Sequence, residues 1–291
     1  MAHAAVLITG CSSGIGEALA RGLNTRGYRV FATARRSADV SRLAAAGLES
    51  LPLDVDSSES IEACVTQVLS RTQGRLFALI NNAGYQQPGA VEDVSRDALR
   101  QQFETNLFGV HELTCRLMPV FRAQGCGRIV QVSSLLGYVS LAYRGAYNAS
   151  KHALEGLTDT LRLELRGTGI HPVLIEPGPI RSRFRRNSLA ALRVHVAVEG
   201  SVHRRAYEAV VGRLASPHDA PFTLPSEAVL PKVIRALESR RPRDRYRVTV
   251  PAHLGAWLAR ALPTRWLDPI LAAVSNVSGG SGRGGASTAD P

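Results

Sequence analysis

The chain has 291 residues, of which 45% are hydrophobic and 20% charged, a composition typical of a globular protein with a large buried core. Its 35 Lys and Arg residues outnumber 24 Asp and Glu residues, which gives a formal net charge of +11. The basic residues are scattered apart from clusters at 181–186 and 240–247, and no basic stripe interleaved with aromatic residues appears, so we expect no nucleic-acid partner.

Short apolar runs of strand length recur along most of the chain, separated by stretches with helical periodicity. Strands rich in Val, Ile and Leu that alternate with helices indicate a parallel sheet covered on both faces. The sequence therefore predicts one α/β domain with a doubly wound parallel sheet of about seven strands. The predicted strands are 4–9, 29–34, 49–53, 77–81, 128–133, 170–176 and 246–250, and the predicted helices are 17–26, 57–71, 98–122, 146–166 and 226–239.

The regular alternation of strands and helices ends after Glu176. Residues 181–225 are polar, basic and helical only in patches, which is typical of a substrate loop or lid. We therefore expect this segment to shape a substrate pocket.

The C-terminal segment 251–274 is apolar and contains both tryptophans. The 23 residues of 252–274 have the length of a membrane-spanning helix, but the charges of Arg260, Arg265 and Asp268 argue against one. Two short amphipathic pieces, broken by Pro263 and Pro269, fit better, and they either pack on the domain or rest on a membrane surface. The Gly- and Ser-rich end, 275–291, predicts a disordered tail.

A glycine-rich loop, 9–16, follows the first predicted strand and precedes a predicted helix. Its glycines, Gly10, Gly14 and Gly16, would let a pyrophosphate approach the N–H groups at the helix N-terminus. Their spacing is a variant of the dinucleotide fingerprint, and the strand-loop-helix context makes it specific. Because the first strand runs directly into this loop without a basic leader or cleavage site, we expect a cytoplasmic protein that is at most peripheral to a membrane.

The end of the second strand indicates which cofactor is preferred. An acidic residue there would bind the ribose hydroxyls of NAD, whereas this chain has Ala34-Arg35-Arg36. A charge-assisted hydrogen bond from Arg35 to a 2′-phosphate would contribute about 1.5–3 kcal/mol, or about ten- to hundredfold in affinity, which favours NADP. The alternative is that these arginines are solvated surface charges.

Tyr147 and Lys151 are separated by four positions, so that on a helix the phenol and the ammonium lie on one face. Lysine is rare in this chain, and the other one is Lys232. A nearby ammonium favours the phenolate, and lowering the phenol pKa by about three units requires roughly 4 kcal/mol. The pair occurs by chance in about 5% of such chains, so it gains meaning only with other motifs.

The four cysteines, Cys11, Cys64, Cys115 and Cys126, show neither Cys-x-x-Cys spacing nor a nearby histidine pattern. This spacing predicts no metal site. We expect buried thiols in a reduced compartment.

Together these residues resemble the classical short-chain dehydrogenase/reductase family, most closely its hydroxysteroid and retinol dehydrogenase branch. The loop at 9–16 matches the cofactor loop of the family, and Asn81-Asn82-Ala83-Gly84 matches its motif after the fourth strand. Ser134 lies thirteen residues before Tyr147, as the family pattern expects. The resemblance covers about 4–250 and implies a Rossmann-type NADP-binding catalytic domain over 1–250.

The resemblance implies an oxidoreductase that interconverts a secondary alcohol and a ketone or aldehyde on a small lipophilic substrate, steroid-, retinoid- or lipid-like. Tyr147 would be the proton donor or acceptor, Lys151 would lower its pKa and Ser134 would orient the carbonyl. Asn106 would support a proton relay through water behind Lys151. The family also pairs as homodimers or homotetramers through helices that match 98–122 and 146–166. The alternative is a dinucleotide-binding sensor or scaffold without turnover.

The loop and the resemblance together assign the cofactor contacts. Asp54 would contact the adenine, with a role as a turn or helix-cap acid as its alternative. Ser182 stands where the family usually has Thr, and its hydroxyl would bind the nicotinamide carboxamide. The expected cofactor-binding residues are Gly10, Ser12, Ser13, Gly14, Ile15, Gly16, Arg35, Asp54, Asn82, Ala83, Gly84, Tyr147, Lys151, Pro177, Gly178, Ile180 and Ser182.

Overall fold

The fold is a parallel β-sheet with helices on both faces, seen in a computed structural model that describes residues 4–275. Seven strands in this range form one sheet in the order β3-β2-β1-β4-β5-β6-β7, which confirms the predicted doubly wound architecture. The winding reverses between β1 and β4, where Val6 pairs with Val30 on one side and with Ala78 on the other. The strands are β1 (Ala5–Ile8), β2 (Arg29–Ala34), β3 (Glu49–Pro52), β4 (Ala78–Asn81), β5 (Gly127–Val132), β6 (Ile170–Glu176) and β7 (Arg245–Arg247).

Eleven α-helices surround the sheet within the described range. On one face, Leu19, Leu43 and Val233 from three different helices share an apolar core with the sheet, and on the other face Ile61 and Leu117 do the same. The helices are α1 (Gly14–Thr25), α2 (Ser37–Ala45), α3 (Ser58–Arg71), α4 (Arg96–Phe103), α5 (Gly109–Gln124), α6 (Gly145–Glu164), α7 (Phe184–His195), α8 (Arg204–Ala215), α9 (Leu230–Glu238), α10 (Val250–Ala261) and α11 (Thr264–Val274).

The predicted helix 98–122 is interrupted in the structure. It divides into α4 and α5, which a π-helical turn over Glu104–Phe108 joins. A π turn adds a residue to the helix and shifts the direction of the side chains around it, and such turns are frequent at functional sites. Asn106 is fully buried within this turn. The sequence prediction also missed α2, a helix of nine residues between β2 and β3.

The segment 181–225 contains two packed helices, α7 and α8, rather than a loop with patches of helix. Leu192, Tyr207 and Val210 form a small core with Ala90. The Tyr207 hydroxyl donates to Asp93 at 2.6 Å and accepts from the Ala90 N–H at 2.8 Å. These contacts fix the segment to the loop after β4.

The C-terminal segment forms α10 and α11, which Leu262 and Pro263 separate. Pro269 does not break the chain a second time, because it lies inside α11. Between residues 4 and 275 no helix has the length and hydropathy needed to cross a membrane. Ser275 ends the described range, and its hydroxyl accepts a hydrogen bond from the Ala142 N–H at 3.2 Å. The rest of the predicted tail lies outside the described residues.

The cysteines divide into two pairs by exposure. Cys11 and Cys64 are buried, and burial raises the pKa of each thiol to about 12. Cys115 and Cys126 are exposed, so the expectation of four buried thiols is wrong for these two. Their helix-surface and loop positions leave them outside both faces of the core.

Candidate active site

The predicted site residues lie at one edge of the sheet, where the parallel strands end. This edge is the common ligand-binding position of doubly wound folds, and the reversal of winding between β1 and β4 opens a crevice there. α6 carries Tyr147 and Lys151 beside the end of β5. The strand-end residues are Gly10 after β1, Arg35 after β2, Asp54 after β3, Asn82 to Gly84 after β4, Ser134 after β5 and Pro177 to Ser182 after β6.

The glycine loop has the backbone that a dinucleotide site requires. Gly10 and Gly14 have φ of +71° and +61°, a left-handed conformation that side chains rarely adopt. A Cβ on Gly14 would lie 2.8 Å from the Cβ of Ser182, so the space between α1 and the loop after β6 admits only glycine. Ser13 makes no side-chain cap at the start of α1, which leaves the first N–H groups of the helix available to an anion.

Hydrogen bonds tie the glycine loop to the end of β4. The Thr9 hydroxyl accepts from the N–H groups of Asn82 and Ala83 at 2.9 and 2.8 Å. The Asn82 amide donates to the carbonyl oxygens of Thr9 and Gly10 at 2.9 and 3.1 Å. The Asn82 side chain therefore fixes the glycine loop. The predicted contact of Asn82 with the cofactor ribose would come from its backbone.

Arg35 is an exposed cation with no hydrogen bond or ion pair among the described residues. Its neighbour Arg36 is committed to Asp39 at 2.8 Å. Of the two arginines after β2, Arg35 is therefore the one available to a ligand.

Two carboxylates follow β3. Asp54 accepts from the Asp56 N–H at 3.2 Å, which is a turn interaction, and Asp56 accepts from the Thr105 hydroxyl at 3.0 Å.

Tyr147 lies in an apolar corner of the site and is 6% exposed. Its ring packs edge-on against Phe184, with ring centroids 5.6 Å apart. Lys151 Nζ lies 5.9 Å from the centre of the tyrosine ring and donates to the Val132 carbonyl at 2.9 Å. The phenol and the ammonium therefore converge on one small volume, as the spacing predicted.

Burial controls the protonation of this pair. It raises the pKa of Tyr147 to about 12, against a hydrogen bond from Ser134 and the charge of Arg144, which both lower it. It lowers the pKa of Lys151 to about 8, against the charge of Glu155, which raises it. The charge of Arg144 therefore acts on the phenol, and the predicted effect of Lys151 on the pKa of Tyr147 stays a prediction.

Asn106 and Ser134 flank the pair from two other elements. The Asn106 side chain accepts from the Tyr85 N–H at 3.1 Å and donates to the Tyr85 carbonyl at 3.0 Å and to the Ser150 hydroxyl at 3.1 Å. These bonds join the π turn, the loop after β4 and α6. The Ser134 hydroxyl accepts from the Leu136 N–H at 3.1 Å, and its own hydrogen bond acts on the Tyr147 phenol.

A buried ionic cluster lies one helical turn beyond Lys151. Arg245 donates to Glu155 and, at 2.9 Å, to Glu176, which is fully buried. Burial, followed by the charge of Glu176, raises the pKa of Glu155 to about 7. The protonation of Lys151 is therefore coupled to a carboxyl group that is itself only partly ionised near neutral pH.

Several residues of the site were missed by sequence reasoning. Arg144 begins α6 one turn before Tyr147, and this spacing is the signal that could have revealed it. Arg42 donates to the Ser12 carbonyl at 2.7 Å and so supports the glycine loop from α2. Ala259 of α10 and Leu271 of α11 pack on the apolar cluster around Tyr147, a contact that no local pattern indicates.

A family model described as short chain dehydrogenase matches residues 4–192. The chain belongs to this family. It is therefore an NAD(P)-dependent oxidoreductase that acts on CH–OH groups. The glycine cradle, the free α1 N-terminus and the unpaired Arg35 all fit such a dinucleotide.

Three similar proteins illustrate the range of this short-chain dehydrogenase family. The uncharacterized oxidoreductase YbbO of Escherichia coli (strain K12) is 42% identical over 266 residues, which cover 91% of this chain and 93% of that protein. The NADPH-dependent 1-acyldihydroxyacetone phosphate reductase of Schizosaccharomyces pombe is 36% identical, with 68% and 67% covered. A solved short-chain dehydrogenase/reductase from Burkholderia phymatum in complex with NAD is 25% identical, with a TM-score of 0.75 and 93% and 95% covered.

Replacement of Lys151 by Met should stabilise the protein at neutral pH. The pKa of Lys151 falls from its ordinary value of 10.5 to about 8 on folding, so the unfolded chain binds this proton more tightly. The free energy of unfolding is therefore lowered below pH 8 and rises as the pH increases from about 8 to about 10.5. We expect Lys151→Met to raise the free energy of unfolding by about 1–3 kcal/mol at pH 7. The variant should also lose the increase in this free energy between about pH 8 and about pH 10.5.

Urea denaturation at pH 7 and pH 10 measures the effect. Lys232→Met, which replaces a lysine outside the site, is the matched control and should keep the pH dependence. A Lys151→Met protein that is less stable than wild type at pH 7 would contradict the prediction.

Proposed function

We propose that this chain is an NADP-dependent oxidoreductase that interconverts a secondary alcohol and a ketone or aldehyde, with a lipophilic substrate. The observation that carries the proposal is the placement of a buried, protonated phenol beside the Ser134 hydroxyl, at the same sheet edge as the glycine cradle. A protein that only sensed a dinucleotide would need the cradle but not the proton donor. The phenol therefore supports turnover over the sensor or scaffold alternative.

When bound, the nicotinamide cofactor supplies or accepts a hydride. Tyr147, whose pKa of about 12 keeps its proton in place, donates that proton to the developing alkoxide in the reductive direction. Ser134 would orient the substrate carbonyl by donating its hydroxyl proton to the substrate oxygen. Lys151, whose ammonium donates to the Val132 carbonyl, would hold the ribose of the bound cofactor, lower the pKa of Tyr147 and replace the proton that Tyr147 loses.

Tyr147→Phe should reduce kcat about 10²- to 10⁴-fold while NADPH binding is retained, because the general acid is lost and the cradle is not. Tyr28→Phe removes a hydroxyl that contacts Glu238 on another side of the fold, and it should keep wild-type activity. The measurements are NADPH oxidation with steroid, retinoid, fatty and small aromatic carbonyls, and NADPH binding by fluorescence. A wild-type protein that binds NADPH but reduces none of these carbonyls would favour the sensor.

Preference for NADP over NAD rests on Arg35. The chain offers no acid at the end of β2 to bind ribose hydroxyls, and Arg35 is free while Arg36 is paired with Asp39. The relatives do not decide the matter, since one is NADPH-dependent by name and one was solved with NAD.

Arg35→Ser should lower kcat/KM with NADPH about ten- to hundredfold and leave kcat/KM with NADH nearly unchanged, because only NADPH carries the 2′-phosphate. Arg36→Ser is the matched control and should have a much smaller effect. Equal losses with both cofactors would show that Arg35 does not read the phosphate.

A lipophilic substrate is supported by the walls of the site. Leu136, Val139 and Leu141 form an apolar cluster with Tyr147, and α10 and α11 pack against it. The outer faces of the same two helices expose apolar side chains, including Trp257 at 63%. The others are Val250, Leu254, Trp266, Ile270 and Val274. With Arg260 and Arg265 beside them, these faces suit an anionic lipid surface, and we propose peripheral membrane contact there.

The chain should sediment with vesicles that contain phosphatidylglycerol. Replacing Trp257 and Trp266 together by Ser should lower the partition coefficient by about tenfold or more, because two large apolar side chains are lost from the contact. Phe222→Ser removes an aromatic ring that is also 63% exposed but lies outside these helices, and it should have no effect. Equal partitioning of the double variant and wild type would exclude α10 and α11 as the contact.

We also propose that the chain pairs as a homodimer or homotetramer through α4, α5 and α6. α4 exposes Leu99, the π turn between α4 and α5 exposes Phe108, and α6 exposes Leu157 and Leu163, of which Leu163 is 60% exposed. Burial of such side chains against a second copy would stabilise an assembly. Sedimentation equilibrium measures it directly, and a monomer at micromolar concentration would contradict it.

A further inference from the structure

Arg144 is a partly buried cation beside the candidate proton donor. It lies one turn before Tyr147 at the start of α6, and its charge acts on the phenol. Its Nε is buried without a hydrogen-bond partner in the described part of the chain. Burial of part of a cation without a hydrogen-bond partner is unfavourable, and a bound anion would remove this penalty.

A second arginine, Arg213 of α8, is brought to the same place. Arg213 Nη1 donates to the Ser275 carbonyl at 3.3 Å, and the Ser275 hydroxyl accepts from the Ala142 N–H at 3.2 Å. Ser275 thus holds α8 against the segment that leads into Arg144. Burial, followed by the charge of Arg213, lowers the pKa of Arg144 to about 10, as expected for a cation near a second cation.

No carboxylate between residues 4 and 275 forms an ion pair with either arginine. Elsewhere the chain compensates its partly buried arginines, as with Arg245, which pairs with Glu155 and Glu176. Arg185 adds a third cation nearby, with its Nη2 on the Arg213 carbonyl at 2.8 Å. The three arginines therefore give this part of the molecule an excess of positive charge, and Tyr147, which follows Arg144 in the chain, belongs to an apolar cluster.

We propose that Arg144 and Arg213 form a subsite for an anionic group of the substrate, a phosphate or a carboxylate. This inference rests on the proposed function, because it places the anionic group relative to the carbonyl that Tyr147 would protonate. Arg144 and Tyr147 are three residues apart, about 5 Å along a helix axis. The anionic group of the substrate would therefore lie a few bonds from the reacting carbon. The substrate is then an amphiphile with an apolar chain against the Tyr147 cluster and a charged end on the arginines.

Direct binding tests the subsite without turnover. With the protein saturated with NADPH, so that Arg35 is occupied, calorimetry compares octyl phosphate and octanoate with octanol. Wild type should bind the two anions more tightly than octanol by about tenfold or more, the range of a charge-assisted hydrogen bond. Anions that bind no better than octanol would overturn the proposal.

Substitutions assign the effect to the arginines. Arg144→Met and Arg213→Met should each weaken octyl phosphate about tenfold or more and change octanol less than about twofold. Arg144→Lys should restore part of the affinity, since it keeps the charge but not the planar fork. Arg75→Met, which removes an exposed arginine at the opposite edge of the sheet, is the control for net charge. Equal weakening of octanol and octyl phosphate by Arg144→Met would mean that Arg144 only supports the pocket, and would overturn the subsite.

Turnover separates this proposal from the proposed function. NADPH oxidation with 4-oxododecanoate and its methyl ester should favour the acid, and Arg144→Met should remove this preference through KM. If neither compound is reduced but the anion binding and its loss in Arg144→Met are observed, the proposed function fails and the anion subsite stands. If both are reduced alike, turnover stands and the subsite fails.

Discussion

The two halves of the sheet meet where β1 and β4 run side by side, and the Thr9 hydroxyl joins the loops that follow these two strands. It accepts two backbone N–H groups from the end of β4 while the Asn82 amide returns bonds to the glycine loop. Parallel strands place their carboxyl ends together, but they do not fix the loops that follow. These hydrogen bonds do so for the glycine loop and the loop after β4.

The site contains charge and hydrogen-bonding capacity that the protein itself does not use. Tyr147 and Lys151 are both desolvated, which favours the neutral form of each. Within residues 4–275, the buried Nε of Arg144 has no hydrogen-bond partner, and Arg35 is exposed to solvent. Each group would be stabilised by a ligand of opposite or complementary charge. Burial of Tyr147, Lys151 and Arg144 therefore lowers the stability of the folded protein, and a bound ligand would offset this loss. This is common where proteins hold functional groups away from water.

Local patterns predicted the sheet and the edge at which the site lies, because buried parallel strands and a glycine turn leave signals within a few residues. They failed where the outcome depends on distant contacts. The π turn at Asn106 has the same composition as an ordinary helix, and α2 is too short for a clear period. The lack of a partner for Arg144 depends on α8, about 70 residues further along the chain, so no spacing in the sequence could reveal it.

The position of Ser275 has a consequence for how the protein is made. This residue holds both Arg213 and the segment before Arg144, yet it lies at the end of α11, whereas the seven strands are complete at Arg247. Domains emerge from the ribosome N-terminus first, at about 5–20 residues per second. The sheet can therefore assemble during synthesis, while the pocket wall can close only after residue 275 has left the exit tunnel. The nascent chain would pass through a stage in which the dinucleotide cradle is formed and the substrate side is still open.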